Sequence, residues 1–108
     1  MIRKLVQYQT GNGRVPFREW LISLNDITVR AKIRARLDRL LLGNSGDSKS
    51  VGGGVHELRF HSGPGYRIYF GLDGTCLVVL LTGGDKNRQE DDIRQAQEYW
   101  QDYLRRRG

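Results

Sequence analysis

The stretch VHELRFHSGPGYRIYFGLDGTCLVVLLTGGDK, residues 55–86, decides how this chain folds. It contains three runs of strand-forming residues, at 55–61, 66–70 and 75–82, separated by the turn sequences SGPG and DG. The third run is apolar on both faces, which predicts a strand inside the sheet. Short turns between successive strands predict an antiparallel meander.

Side chains alternate between the two faces of a strand. In the first two strands this alternation puts apolar side chains on one face, namely Leu58, Phe60, Tyr66, Ile68 and Phe70. The opposite face carries polar and aromatic groups, namely Glu57, Arg59, His61, Arg67 and Tyr69. If the apolar face covers the core, the second set forms one open patch. We expect that patch to suit the binding and cutting of a phosphodiester backbone.

The residues before the meander predict one strand and two helices. Residues 2–9 have the pattern of an outer strand. Pro16 suits a first helical position, and apolar residues at helical spacing predict a helix over 16–24. Asp26 can cap a second amphipathic helix, predicted over 27–42. These two helices are expected to form an antiparallel hairpin.

The remaining segments predict a loop and a final helix. Residues 44–54 are rich in glycine and serine, which predicts a mobile loop. Asn87 and Glu90 have the spacing of a capping box before a helix over 89–107. That helix has an apolar stripe of Ile93, Ala96, Trp100, Tyr103 and Leu104.

Composition bounds the class of protein. The 108 residues fit one domain, 1–108, and the net charge of +6 favours a polyanionic partner such as RNA or DNA. No apolar run is long enough for a membrane span, and the N-terminal residues do not resemble a signal peptide, so we expect a cytoplasmic protein. The single Cys76 and the two histidines make no zinc-type ligand set, so we expect no metal and no cofactor.

The order of strand, helix hairpin, meander and final helix, with the motifs E-L-R, G-P-G-Y-R and G-G-D-K, resembles the RelE/HigB superfamily of bacterial toxins. It looks most like the phage-Gp49-type branch, often labelled addiction-module killer proteins. The resemblance covers nearly the whole chain and is most specific over 54–89. It implies an α+β, RelE-like fold in which an N-terminal strand and a helix hairpin pack on a mostly antiparallel sheet with a C-terminal helix.

The same resemblance implies a function. Such proteins are toxins of type II toxin–antitoxin systems, metal-independent endoribonucleases that cut messenger RNA, usually on the translating ribosome. A small antitoxin protein, often of the helix-turn-helix type, silences them. The resemblance assigns phosphate binding and catalysis to Arg67 and matches basic residues of the family to Arg59 and Lys86. Some members carry a catalytic tyrosine near the C-terminus, where this chain has Tyr99 and Tyr103.

Other candidate residues follow from their own chemistry, each with a structural alternative. Glu57 could act as a general base or hold an arginine in an ion pair. His61 could transfer protons or be a solvated histidine. Tyr69 could stack on a base or pack at the sheet edge. We expect Asp85 to be a turn residue and His56 to be structural.

The second helix carries arginines on the side away from its apolar stripe, among them Arg34, Arg36 and Arg39. They could face RNA or the ribosome, or form a solvated face. Two further classes of function remain open on the same fold. One is a non-catalytic basic module that binds nucleic acid, and the other is a protein-interaction domain whose charged surface receives a partner.

Overall fold

A five-stranded mixed sheet organises residues 2–108, the part of the chain that the computed structural model describes. The strands are β1 (Lys4–Gln7), β2 (Ser48–Gly52), β3 (Val55–Arg59), β4 (Arg67–Asp73) and β5 (Leu77–Gly84), in the spatial order β1-β5-β4-β3-β2. Strand β1 is parallel to β5, and the other neighbours are antiparallel. The α+β class and the interior position of the apolar strand β5 are therefore confirmed.

Two helices cover one face of the sheet. They are α1 (Pro16–Ser23), which has Pro16 in its first turn, and α2 (Ile27–Leu41). The Asp26 side chain caps α2 by accepting hydrogen bonds from the backbone N–H groups of Thr28 and Val29. The core on this face contains Phe17, Ile33, Leu40, Leu58, Ile68, Phe70 and Leu80. Both predicted helices and the alternation of β3 and β4 are confirmed.

The third helix, α3 (Gln89–Arg106), covers the opposite face. Its apolar stripe packs into a second core with Tyr8, Val55, Tyr69, Val79 and Leu81. The predicted cap at Asn87 is wrong, because Asp85 accepts from the Asn87 N–H at 2.9 Å and starts a short 3₁₀ turn ahead of α3. Within residues 2–108, no helix is long and apolar enough to cross a membrane.

The prediction of a mobile loop over 44–54 is wrong for its second half. Strand β2 lies there and pairs with β3 as an antiparallel hairpin at the sheet edge. Gly53 and Gly54 form the connection, with φ of +63° and +84°. Positive φ at both central residues is what a type I′ hairpin turn requires and glycine supplies. The glycines that indicated a loop are thus the turn of a hairpin.

Candidate functional site

Three of the predicted cations lie at one end of the sheet. Arg59, at the end of β3, is paired directly with Arg67, at the start of β4. Arg67 is in turn opposite Gly84, at the end of β5. Lys86 follows two residues later, and its backbone N–H donates to the Pro64 carbonyl at 3.4 Å. The expected placement of Arg59 and Arg67 on neighbouring strands is confirmed, and the fold adds Lys86 beside them.

Gly65, in the G-P-G-Y-R motif, allows this close approach. Its φ is +77°, a conformation that favours glycine. A Cβ atom at this position would lie 3.2 Å from the Lys86 Cβ and 3.7 Å from the Arg67 Nη1. A Cβ atom here would therefore crowd Lys86, whereas its distance from Arg67 is that of an ordinary contact.

The expected open patch is wrong as a description of the whole surface. Glu57 and Tyr69 are fully buried, and Arg67 is 8% exposed. The reason is α3, whose apolar stripe lies against the same face of the sheet and places Tyr69 in a core with Trp100. In this structure Tyr69 packs under α3 and does not offer a ring to a base. Arg59, Lys86 and His61 keep solvent contact.

Under the first turn of α3, Glu57 is held between two side chains. Its Oε2 accepts from the Gln89 amide at 2.8 Å, and its Oε1 lies 3.9 Å from Arg67 Nε in an ion pair. The Glu57 Oε1, the Arg67 Nε and the Tyr69 hydroxyl are buried and have no hydrogen-bond partner among residues 2–108. Burial, together with the Glu57 charge, raises the pKa of the Tyr69 hydroxyl. Of the two roles considered for Glu57, the observed contacts are those of an arginine tether.

Asp47 joins the cations through a contact that sequence analysis missed. Its carboxylate lies 3.2 Å from Arg59 Nη2 and 2.6 Å from His61 Nε2, and the His61 side chain is 80% exposed. The hydrogen bond with His61 lowers the pKa of Asp47, and the Arg59 charge acts in the same direction. Within residues 2–108, no group of three or more potential metal ligands is arranged around an ion site. Asp47 just precedes β2, in the segment that was predicted to be a loop.

The arginines of α2 divide into two kinds. Arg36 donates to the Arg59 carbonyl at 2.8 Å and to the Asp47 carbonyl at 3.3 Å, and its guanidinium lies over the Phe60 ring. Arg36 therefore links α2 to the backbone of Arg59 and Asp47, and its side chain is partly buried. Arg34 and Arg39 are exposed. Of these three arginines, Arg34 and Arg39 are therefore the two exposed to a polyanionic partner in solution.

The two C-terminal tyrosines have structural partners. The Tyr103 hydroxyl donates to Asp73 at 2.8 Å, at the end of β4 opposite to Arg67. Tyr99 packs on the ring of Tyr8, just beyond β1, with centroids 4.9 Å apart. The expected structural roles of two other residues are confirmed, since Asp85 caps the 3₁₀ turn and His56 stacks on Phe70.

The fold and the site define a small basic α+β protein with a cluster of cations at one end of its sheet. A comparison of the chain with models of known protein families finds no match. Over 80 residues the chain is 50% identical to a protein of Haemophilus influenzae named "Uncharacterized protein", an alignment that covers 74% of this chain and 81% of the relative. The chain belongs to the family of that Haemophilus protein.

Proposed function

We propose that this chain is the toxin of a type II toxin–antitoxin system, a metal-independent endoribonuclease that cuts messenger RNA. The resemblance to the phage-Gp49-type branch of the RelE/HigB superfamily suggests this function. One observation carries the proposal: Arg59 at the end of β3, Arg67 at the start of β4 and Lys86 in the turn after β5 lie at one end of the sheet. Such a cluster suits a phosphate whose negative charge increases in the transition state.

Cleavage of RNA without a metal begins with attack of the 2′-oxygen on the adjacent phosphorus. A base removes the 2′-hydroxyl proton, cations stabilise the phosphorane-like transition state, and an acid protonates the departing 5′-oxygen. The products are a 2′,3′-cyclic phosphate and a 5′-hydroxyl. In the proposed scheme Arg59, Arg67 and Lys86 hold the phosphate oxygens.

His61 is the best-placed group for proton transfer. Its Nε2 faces the Asp47 carboxylate at 2.6 Å, a contact that needs a proton on Nε2. In the neutral imidazole with that proton on Nε2, the Nδ1 lone pair can accept the 2′-hydroxyl proton. Because the side chain is 80% exposed, substrate can reach it. An orienting carboxylate behind an imidazole is the usual arrangement for such a base.

Glu57 acts on Arg67 in this scheme and has no contact with the RNA. Its fully buried carboxylate faces the Arg67 Nε, and the Gln89 amide fixes its other oxygen. A guanidinium held in this way is oriented before substrate arrives. Preorganised charge of this kind is the main source of electrostatic stabilisation in a transition state.

The proposal includes partners. They are messenger RNA, the ribosome on which it is translated, and a cognate antitoxin protein encoded beside the toxin. A non-catalytic RNA-binding module is the second candidate. It is favoured by the burial of Glu57, which removes one of the two candidate bases from solvent.

Induction in a bacterial host, with mapping of the 5′ ends of messenger RNA, tests the function. The wild-type chain should arrest growth and generate new 5′ ends, whereas Arg67→Ala should reduce cleavage by about a hundredfold or more. Lys86→Ala, at an exposed position, provides a second variant that leaves the buried ion pair in place. Arg94→Ala is the matched control, because Arg94 is 66% exposed on α3 and its loss changes the charge equally.

Three outcomes separate the candidates. Full toxicity of well-expressed, folded Arg67→Ala and Lys86→Ala variants would remove the cation cluster from the mechanism. RNA binding without cleavage by the wild-type chain would favour the binding module. Cleavage of ribosome-free RNA, if it occurs, should persist in excess EDTA, and a loss that zinc or magnesium restores would contradict the metal-independent chemistry.

A further inference from the structure

A pocket of about 420 Å³ opens next to the cation cluster, between α1 and the start of α3. Its lining includes Trp20, Pro64, Tyr66, Asp85, Arg88 and Asp92. The volume lies within the range of ligand sites in proteins. Two residues of the pocket lining, Pro64 and Gly84, also border the cation cluster. The Pro64 carbonyl accepts a hydrogen bond from the Lys86 N–H, and Gly84 is paired with Arg67 in the sheet.

Two aromatic rings form one side of this pocket. Trp20 and Tyr66 meet edge to face, with centroids 6.1 Å apart. The Trp20 ring lies directly against Gly83, where a Cβ atom would collide with it. This glycine of the G-G-D-K motif therefore lets the ring approach the strand closely. Aromatic side chains of this kind are what proteins use to stack on nucleobases.

Two charged side chains of the lining, Asp92 and Arg88, make no hydrogen bond within the described chain. The Asp92 carboxylate lies against the Gly84 backbone and makes no hydrogen bond or ion pair with residues 2–108, although it is partly buried. Burial raises its pKa, and the charge of Arg88 opposes that effect. The Arg88 side chain is exposed and likewise makes no hydrogen bond or ion pair within the described chain. The pocket thus offers a carboxylate acceptor and a guanidinium donor that act on each other through their charges but hydrogen-bond to no residue among 2–108.

We propose that this pocket receives a guanine base of the RNA strand whose phosphate lies at Arg59, Arg67 and Lys86, an inference that rests on the function proposed above. Guanine presents its N1–H and N2–H₂ groups side by side, so that one carboxylate can accept from both. Its O6 and N7 accept from an arginine, the commonest specific contact to this base. Adenine, cytosine and uracil each lack one of these features. The aromatic wall supplies the stacking surface.

Binding of short RNAs to the full chain tests this inference. The probes are five-nucleotide RNAs with a central G, A, C or U in a uridine background, measured by fluorescence anisotropy. The G probe should bind about tenfold to a hundredfold more tightly than the all-uridine probe. Asp92→Asn should remove most of that preference and leave the all-uridine affinity nearly unchanged. Arg88→Gln, at an exposed position, should weaken the preference in the same direction.

Asp91→Asn is the matched control, because Asp91 is one residue away, is 68% exposed and carries the same charge. It should keep the full preference for guanine. Equal affinity for all four probes, or a preference that survives in both Asp92→Asn and Arg88→Gln, would overturn the pocket assignment and leave the proposed function standing. Absence of RNA binding by the wild-type chain would overturn both. Competition by guanosine monophosphate as effective as that by the RNA would show that the pocket serves a free nucleotide instead.

Discussion

Glu57 shows how much one buried carboxylate depends on its partners. It is fully buried, faces Arg67 and accepts from Gln89. Glu57→Ala would leave the mostly buried Arg67 without its counter-ion and the Gln89 amide without an acceptor. We expect this change to lower the free energy of unfolding by about 3 kcal/mol, since breaking a buried ion pair leaves an uncompensated charge.

Urea denaturation measures this loss. Glu98→Ala on the exposed side of α3 is the control, and it should change the free energy of unfolding by no more than about 0.5 kcal/mol. Equal effects of the two substitutions would mean that Glu57 is not stabilised by the contacts described.

Tyr8 and Asp102 form a hydrogen bond whose contribution to stability depends on pH. The Tyr8 hydroxyl donates to Asp102 Oδ2 at 2.6 Å and joins the segment just beyond β1 to α3. Burial and this hydrogen bond raise the pKa of Tyr8 from 10.0 to about 12, and the same bond lowers the pKa of Asp102 below 3.8. The Asp102 contribution is present above its ordinary pKa and is lost as the pH falls through the lowered value. The Tyr8 contribution is present below pH 10.0 and is lost as the pH rises toward 12.

Tyr8→Phe should therefore destabilise the protein most at neutral pH. The difference from wild type in the free energy of unfolding should shrink as the pH falls below 3.8 toward the lowered pKa of Asp102. Urea denaturation from pH 3 to pH 9 follows the acid side. Tyr99→Phe is the control, because within residues 2–108 the Tyr99 hydroxyl donates no hydrogen bond to a carboxylate, and it should show no such decrease in the acid range. A constant difference for Tyr8→Phe across the acid range would contradict the assigned contact.

At the scale of elements, the β2–β3 hairpin depends on a glycine that α3 requires. Gly54 has φ of +84°, and a Cβ atom there would lie 2.5 Å from the indole nitrogen of Trp100. Gly74 also has a positive φ, +71°, but nothing lies within 4 Å of its Cβ position. Alanine costs about 1 kcal/mol at either site through the left-handed backbone. Gly54→Ala should cost roughly 2 kcal/mol more, because it also overpacks against Trp100.

Thermal unfolding of the two variants isolates that second effect. Gly54→Ala should lower the melting temperature well below that of Gly74→Ala. Similar melting temperatures would show that Trp100 moves away at little cost.

Most elements could be predicted from periodicity, because their side chains alone specify them. Helices α1 and α2 have start signals and apolar stripes, and β5 is apolar on both faces. Strand β2 could not be predicted in this way, since a hairpin held by main-chain hydrogen bonds leaves little side-chain pattern. The stripe of α3 indicated that one face is buried, but a stripe does not say which face of the sheet it covers. The burial of Glu57 and Tyr69 depends on that choice.

The candidate site likewise contains residues whose positions the sequence predicts and one residue, Asp47, whose position it does not. The placement of Arg59 and Arg67 on neighbouring strands follows from the short turn between them, and it was predicted correctly. Asp47 reaches Arg59 and His61 only because β2 folds back on β3, so no local signal marks it. Contacts that depend on the pairing of distant segments cannot be predicted from the local pattern of a single sequence.

The whole molecule has cores on both faces of its sheet, so the cations proposed to bind RNA lie at the sheet end and on α2. With a net charge of +6, RNA binding should weaken steeply with salt. Each phosphate neutralised on a single strand contributes about −0.7 to the slope of log affinity against log salt. Replacing Arg59 and Lys86 together with Gln should therefore reduce the magnitude of the slope by roughly one to two units.

The double variant Arg34→Gln with Arg39→Gln provides the comparison, since it removes the same charge from the exposed side of α2. Titrations of a uridine pentamer at several salt concentrations give the slope for each protein. If the sheet end grips the backbone, the first pair should change the slope more than the second. A slope that responds to the α2 pair alone would place the phosphate contacts on α2, and Arg59 and Lys86 would then lose their proposed role. Equal responses would mean that the strand crosses both surfaces, since each pair removes an equal charge.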